Sequence, residues 1–216
     1  MAVATSGRAA GLAAMFDARL RPLIDPPLNR AGRVLARWGI GANSVTVAGM
    51  LIGVGAGWGI AVGHFTAALI LIALSRLCDG LDGAIARATS KTAFGGYLDI
   101  VCDFAFYVAV PLGFGLADPA NTAAAMCLIA AFTLTGISFL AFAAIAAERG
   151  LETSAHGQKS FFYSTGIAEG AETIAVFAAM CLIPAWFAQI AFGYAALCLF
   201  TVAQRSWLAW RVFGSP

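Results

Sequence analysis

Between positions 79 and 103 the chain reads DGLDGAIARATSKTAFGGYLDIVCD, which sets four aspartates, Asp79, Asp82, Asp99 and Asp103, inside apolar sequence. Asp79 and Asp82 are three residues apart and Asp99 and Asp103 four apart, so each pair occupies one face of a helix. Two helices joined by a short turn aim all four carboxylates into one space. A carboxylate within a membrane span costs about 2.5–3.5 kcal/mol on insertion scales. Like charges this close do not all stay ionised unless a cation holds them. Hard divalent ions that prefer oxygen ligands, Mg²⁺ or Mn²⁺, suit such a set. A group of polar helix–helix contacts is the competing explanation, but it accounts for one or two aspartates rather than four at paired helical spacing. The pattern reads as a metal site inside a membrane protein.

The elements that must position these carboxylates are hydrophobic. The chain is 61% hydrophobic and 11% charged, against about 25% charged in soluble domains. This predicts an all-α integral membrane protein with six transmembrane helices, preceded by an N-terminal amphipathic interfacial helix. Residues 1–15, rich in Ala, Gly and Ser, read as a disordered N-terminus without a signal peptide. Residues 16–38 mix Leu, Ile, Val and Trp with five arginines and read as a juxtamembrane amphipathic helix on anionic lipid. Residues 39–211 form the six-helix catalytic domain, with spans at about 43–62, 65–88, 93–116, 122–147, 161–183 and 185–208. The nearly balanced charge, +2, gives no support for nucleic-acid binding. The five cysteines lie in or near apolar runs without a C-x-x-C pair and read as core fillers. His64, beside Gly63 in the first hairpin turn, reads as an interfacial loop residue.

The aspartate stretch resembles the signature of the CDP-alcohol phosphotransferases of phospholipid synthesis, D-x-x-D-G-x-x-A-R followed by about eight residues and G-x-x-x-D-x-x-x-D. Asp79, Asp82, Gly83, Ala86, Arg87, Gly95, Asp99 and Asp103 match it, with seven residues between Arg87 and Gly95. Counting to Gly96 restores eight but leaves two residues before Asp99. The shortening falls in the polar turn ATSKT, where a deletion is best tolerated. The resemblance implies a membrane transferase that moves a phosphatidyl group from a CDP-alcohol, such as CDP-diacylglycerol, to an alcohol acceptor and releases CMP. It implies two divalent ions on Asp79, Asp82, Asp99 and Asp103, with Asp103 as ligand, general base or both. The nucleotide falls on the Gly83–Ala86 side, with Arg87 and Lys91 as phosphate contacts. Asn43 and Thr46 match a P-N-x-x-T element of the family in which Ala42 replaces the proline; plain helix capping by Asn43 and Ser44 is the alternative. A homodimer is implied by the family only.

Gly80, Gly83, Ala84 and Ala86 leave one side of their helix nearly bare, suited to a ligand approaching the backbone or to close helix packing. Arg76, three residues before Asp79, shares its face and could pair with it or with a phosphate. The polar loop 148–160 carries Arg149, His156 and Lys159 before the fifth span, an anion-binding arrangement that the family uses for its acceptor. Glu169 and Glu172 are intramembrane carboxylates outside the signature. Arg76, Arg149, His156, Lys159, Glu169 and Glu172 are therefore the candidate acceptor residues, and the cations among them lean toward an anionic acceptor; a small alcohol or a second lipid also fits the family.

All thirteen Lys and Arg lie at one end of the spans in this arrangement. That bias puts the active site and both termini on the cytoplasmic side of a bacterial inner membrane. A divalent-cation transporter is the rival reading. It is disfavoured because the aspartates gather near one face, whereas a transport path needs polar groups near mid-membrane.

Overall fold

The computed structural model describes residues 24–150 and 170–214. The described chain is all helical. Residues 24–37 form α1. Six further helices follow: α2 (Ala42–Ala61), α3 (Phe65–Ala88), α4 (Ala93–Ala117), α5 (Thr122–Glu148), α6 (Gly170–Leu182) and α7 (Phe187–Phe213). Single 3₁₀ turns, Pro119–Asn121 and Pro184–Trp186, lead into α5 and α7, each with proline at its start, where a missing N–H costs nothing.

Four helices, α2, α4, α5 and α7, are long and apolar enough to cross a membrane. At 1.5 Å per residue, the 20 residues of α2 span about 30 Å, the thickness of a hydrocarbon core. Helix α3 has 24 residues, but its second half carries Arg76, Asp79, Asp82 and Arg87 and is too charged to pass as plain lipid-facing sequence. Helix α6 is a shorter apolar helix as far as it is described. The predicted disordered segment 1–15 and the start of the 16–38 helix lie outside the described residues.

The connections follow from local chemistry. Gly63 adopts φ 81°, the left-handed conformation that lets a glycine end a helix. Its N–H reaches Ile60 O at 2.9 Å, and that of His64 reaches Gly59 O at 2.8 Å, so the last carbonyls of α2 are satisfied. Thr92 caps α4, its hydroxyl accepting the Gly95 N–H at 3.0 Å. Asn43 and Ser44 do not cap α2. The cap position is Gly41, without a side-chain bond, and both residues lie inside the first turn. The polar groups of Asn43 and Ser44 are therefore not consumed by the helix end.

Helix α2 packs along both α3 and α4, α5 lies between α4 and α7, and α6 leans on α3. Within lipid there is little hydrophobic gain from helix association, so close van der Waals fit has to hold the bundle. At the α2–α4 crossing a Cβ on Gly57 would overlap Ala109 O, and one on Gly113 would overlap Gly57 O, so the two backbones touch directly. Further along, an aromatic core takes over. Phe106, Phe114, Phe177 and Phe187 are fully buried. Phe114 stacks on Phe187 at 4.3 Å between centroids, and Phe106 meets Phe177 edge-on at 5.6 Å. This core begins one turn beyond Asp103, so the aspartates sit at the open end of a rigid bundle.

Candidate functional site

The site is assembled from the end of α3 and the start of α4. The link between them is short because Thr89 closes α3, its N–H and its hydroxyl both reaching Ile85 O at 2.9 Å, and Thr92 opens α4 three residues later. The two helix faces that carry the aspartates therefore meet. Asp79, Asp99 and Asp103 each offer a carboxylate oxygen, all within 4.8 Å of one another. All four aspartates border a space of about 10 Å³. A donor set made only of carboxylate oxygens around so small a space fits a hard divalent ion.

Asp82 stands slightly apart from the other three and is the most deeply placed, 7% exposed. Thr46 of α2 donates to its Oδ2 at 2.6 Å, with Ala42 O as an alternative acceptor at 3.1 Å. The bond across two helices fixes one carboxylate oxygen.

Arg76 reaches the cluster from the interior side. Its Nη1 donates to Asp103 Oδ1 at 2.7 Å and lies 3.7 Å from Asp79 Oδ1. Its Nη2 donates to Ser75 Oγ at 3.2 Å, and Ser75 in turn donates to Gly49 O at 2.8 Å. The guanidinium also lies over the Phe106 ring, 4.1 Å from its centroid. Of the partners expected for Arg76, the structure brings Asp79 to it, adds Asp103, and places it among the carboxylates.

A cleft of about 290 Å³ opens directly onto this cluster, with Thr46, Asp82 and Asp99 lining both spaces. Asn43, Gly83, Ala86, Arg87 and Lys91, the expected nucleotide-side residues, line the cleft together. The bare face of α3 is divided. Gly80 lies under Leu28 of α1, which a Cβ there would meet at 3.0 Å, and Gly32 of α1 lies so close to Ala84 that a Cβ on it would come within 2.7 Å. Gly83 and Ala86 are left facing the cleft. Close helix packing and ligand space thus occupy adjacent strips of one helix.

The ambiguity between Gly95 and Gly96 has a geometric answer. A Cβ on Gly95 would sit 3.0 Å from Thr92 Oγ1 and 3.2 Å from Asn43 Oδ1, while one on Gly96 meets nothing within 4 Å. Gly95 is the position where α4 approaches α2, and the turn before it absorbs the missing residue.

The candidate acceptor residues are more dispersed. Arg149 follows α5, its guanidinium 5.5 Å from the centroid of the Phe213 ring at the end of α7. Glu172 lies in the first turn of α6, its Oε2 buried without a hydrogen-bond partner among the described residues. His156, Lys159 and Glu169 lie outside the described residues.

One contributor was missed by sequence reasoning. Asn29 of α1 accepts hydrogen bonds from Arg87 Nη2 at 3.0 Å and Nε at 3.2 Å, aiming the guanidinium along the cleft wall. The only signal was its place on the polar side of the amphipathic segment, where a lone asparagine draws no attention beside three arginines.

The chain has recognisable relatives among known proteins. The family model described as CDP-alcohol phosphatidyltransferase matches residues 40–210. The chain is similar to the Inner membrane protein YnjF of Escherichia coli, 48% identical over 194 residues, covering 89% of this chain and 94% of that protein. It is 31% identical over 206 residues to an archaetidylinositol phosphate synthase of Methanothermobacter thermautotrophicus, covering 91% and 93% of the two chains. Its fold is similar to the crystal structure of a Mycobacterium tuberculosis phosphatidylinositol phosphate synthase with CDP-DAG bound, with a TM-score of 0.69, 21% identity, and 85% and 93% of the two chains covered.

Proposed function

The chain belongs to the CDP-alcohol phosphatidyltransferase family and is a membrane transferase of substituted phosphate groups, and on that premise we propose that it moves a phosphatidyl group from CDP-diacylglycerol to a phosphorylated alcohol, releasing CMP. The observation that carries this reading is the continuity of the 290 Å³ cleft with the four-carboxylate space. A nucleotide in the cleft would lay its pyrophosphate against the aspartates. The acceptor class follows the archaeal relatives named archaetidylinositol phosphate synthase, and an inositol phosphate is the first candidate.

Asp79, Asp82, Asp99 and Asp103 would hold two divalent ions, Mg²⁺ or Mn²⁺. When bound, these supply positive charge against the pyrophosphate and the leaving CMP. The rest belongs to the chain. Gly83 and Ala86 leave room for the cytidine against the α3 backbone, beside Asn43. Arg87, aimed by Asn29, and Lys91 contact phosphate oxygens of the donor. Thr46 keeps Asp82 turned inward. Asp103 has Oδ1 engaged by Arg76, which leaves Oδ2 to accept the proton of the acceptor hydroxyl. The acceptor oxygen bonds to the lipid phosphorus, the anhydride P–O bond breaks, and CMP departs with the electron pair. Of the acceptor candidates outside α3, Glu172, with Oε2 buried, is the described residue best placed to face the bundle interior.

In the same reading the bundle has six spans, with α3 and the complete α6 added to the four plainly apolar helices. Helix α1 lies at the inner-membrane surface, the site and both termini face the cytoplasm, and the working unit is a homodimer. Family membership and the gathering of all four carboxylates at one end of the bundle leave no support for the transporter.

The test is CMP release by purified protein in detergent, with CDP-diacylglycerol, Mg²⁺ or Mn²⁺, and a panel of inositol phosphate, glycerol 3-phosphate, serine and a lipid alcohol. Release with one acceptor, abolished in Asp82→Asn while expression is unchanged, is the expected result. Full activity in Asp82→Asn would overturn the assignment of the carboxylates.

A further inference from the structure

Arg76 is not part of the signature, yet it makes the closest polar contact of Asp103. It lies well inside the bundle, with its side chain 13% exposed. An arginine paired along its own helix with a residue three positions on is ordinary. This one also crosses to α4, bonding Asp103 at 2.7 Å and covering the Phe106 ring at 4.1 Å. A guanidinium keeps its charge at any physiological pH, so this positive charge is permanent. Arg76 also holds two of the three carboxylates that approach one another within 4.8 Å. Its Nε is buried and has no hydrogen-bond partner among the described residues, so its own hydrogen bonding is not maximised there. Its placement answers to the carboxylates.

Resting on the reading of these aspartates as metal ligands, we propose that Arg76 is the resident counter-cation of the cluster. It holds Asp79 and Asp103 side by side in the metal-free protein and yields Asp103 Oδ1 when a divalent ion takes that oxygen. The contacts it already makes besides the carboxylates would keep it in place once that bond is released. Ser75 Oγ, locked by its own bond to Gly49 O, presents a lone pair to Nη2, and the Phe106 ring supports the guanidinium face. Metal entry is then an exchange of one cation for another. This keeps the empty site folded, and it sets metal affinity lower than four carboxylates alone would.

The experiment uses the full-length protein in detergent, stripped with EDTA and titrated with Mn²⁺ by calorimetry, with Mn²⁺ counted by electron paramagnetic resonance. Arg76→Gln is expected to bind its first Mn²⁺ about tenfold tighter than the unaltered protein, since the ion no longer displaces a unit charge. It is also expected to melt at a lower temperature in EDTA and to gain more on adding Mn²⁺. Arg76→Lys keeps the charge but loses the second donor and the planar stack, and should fall between. Folding of Arg76→Gln only with Mn²⁺ present gives the same answer in stronger form. Should Arg76→Gln not fold at all, Arg76→Lys decides, with tighter Mn²⁺ binding expected and unchanged affinity overturning the proposal. Unchanged or weaker binding by a folded Arg76→Gln overturns it too. Failure of the unaltered protein to bind Mn²⁺ instead overturns the metal reading beneath it.

Discussion

Replacing Thr46 by valine removes one hydroxyl from between α2 and the most deeply placed aspartate. The side chains keep nearly the same shape, so the change isolates the 2.6 Å bond to Asp82 Oδ2. Thr46 and Asp82 are 8% and 7% exposed, so water screens the bond only weakly. A hydrogen bond to a charged group contributes about 1.5–3 kcal/mol, which corresponds to about 10- to 150-fold in a rate or binding constant. Residues that orient a metal ligand without touching the metal lead to a similar figure, with losses of about 10- to 100-fold on mutation. The expected result for Thr46→Val is therefore a fall of about 30-fold in kcat/KM for CMP release. Thr46→Ser, which restores the hydroxyl, should recover most of it. The assay is initial-rate CMP release at saturating Mn²⁺, with melting temperature measured in parallel to separate loss of activity from loss of fold. A Thr46→Val protein within about twofold of the unaltered enzyme would refute the claim that this bond orients Asp82 for catalysis.

Two further substitutions probe the cleft. Asn29→Ala frees Arg87 from its only described side-chain acceptor and should raise the KM for CDP-diacylglycerol about 3- to 10-fold with little change in kcat, because an exposed hydrogen bond contributes only about 1 kcal/mol; an unchanged KM would remove α1 from the donor site. Gly95→Ala pushes a methyl against Thr92 Oγ1 and Asn43 Oδ1 and should lower activity more than Gly96→Ala, whose methyl meets nothing within 4 Å; the reverse order in steady-state rates would show that the shortened turn is registered on Gly96.

Much of the site was legible from spacing. Intervals of three and four put each pair on one face of its helix, and the short turn between α3 and α4 brings Asp79, Asp99 and Asp103 together, with Asp82 slightly apart. The cleft side of α3 was legible for a similar reason, since small residues at Gly83 and Ala86 leave space on one face. Less legible were the contacts made across elements. Asn29 sits 58 residues from Arg87, and no local pattern announces that α1 will fold back onto the signature. Asn43 and Ser44 looked like caps because their residue types favour that position, yet the cap lies two residues before Asn43, at Gly41 with extended backbone. Arg76 looked equally suited to Asp79 or to a phosphate, because charge and spacing alone leave its partner open.

The sequence by itself determined the membrane character, the helical periodicity and the meeting of the carboxylates, because these depend on composition and on the fixed 3.6-residue turn. Tertiary structure decided how the neighbouring groups are shared out. Packing of α1 against Gly80 and Ala84 leaves Gly83 and Ala86 to the cleft. The crossing of α2 over α4 hands Thr46 to Asp82. The approach of Phe106 and Asp103 draws Arg76 away from its own helix. Each of these is a competition among several possible partners of one side chain, and only the relative placement of whole helices settles which partner is near enough to win.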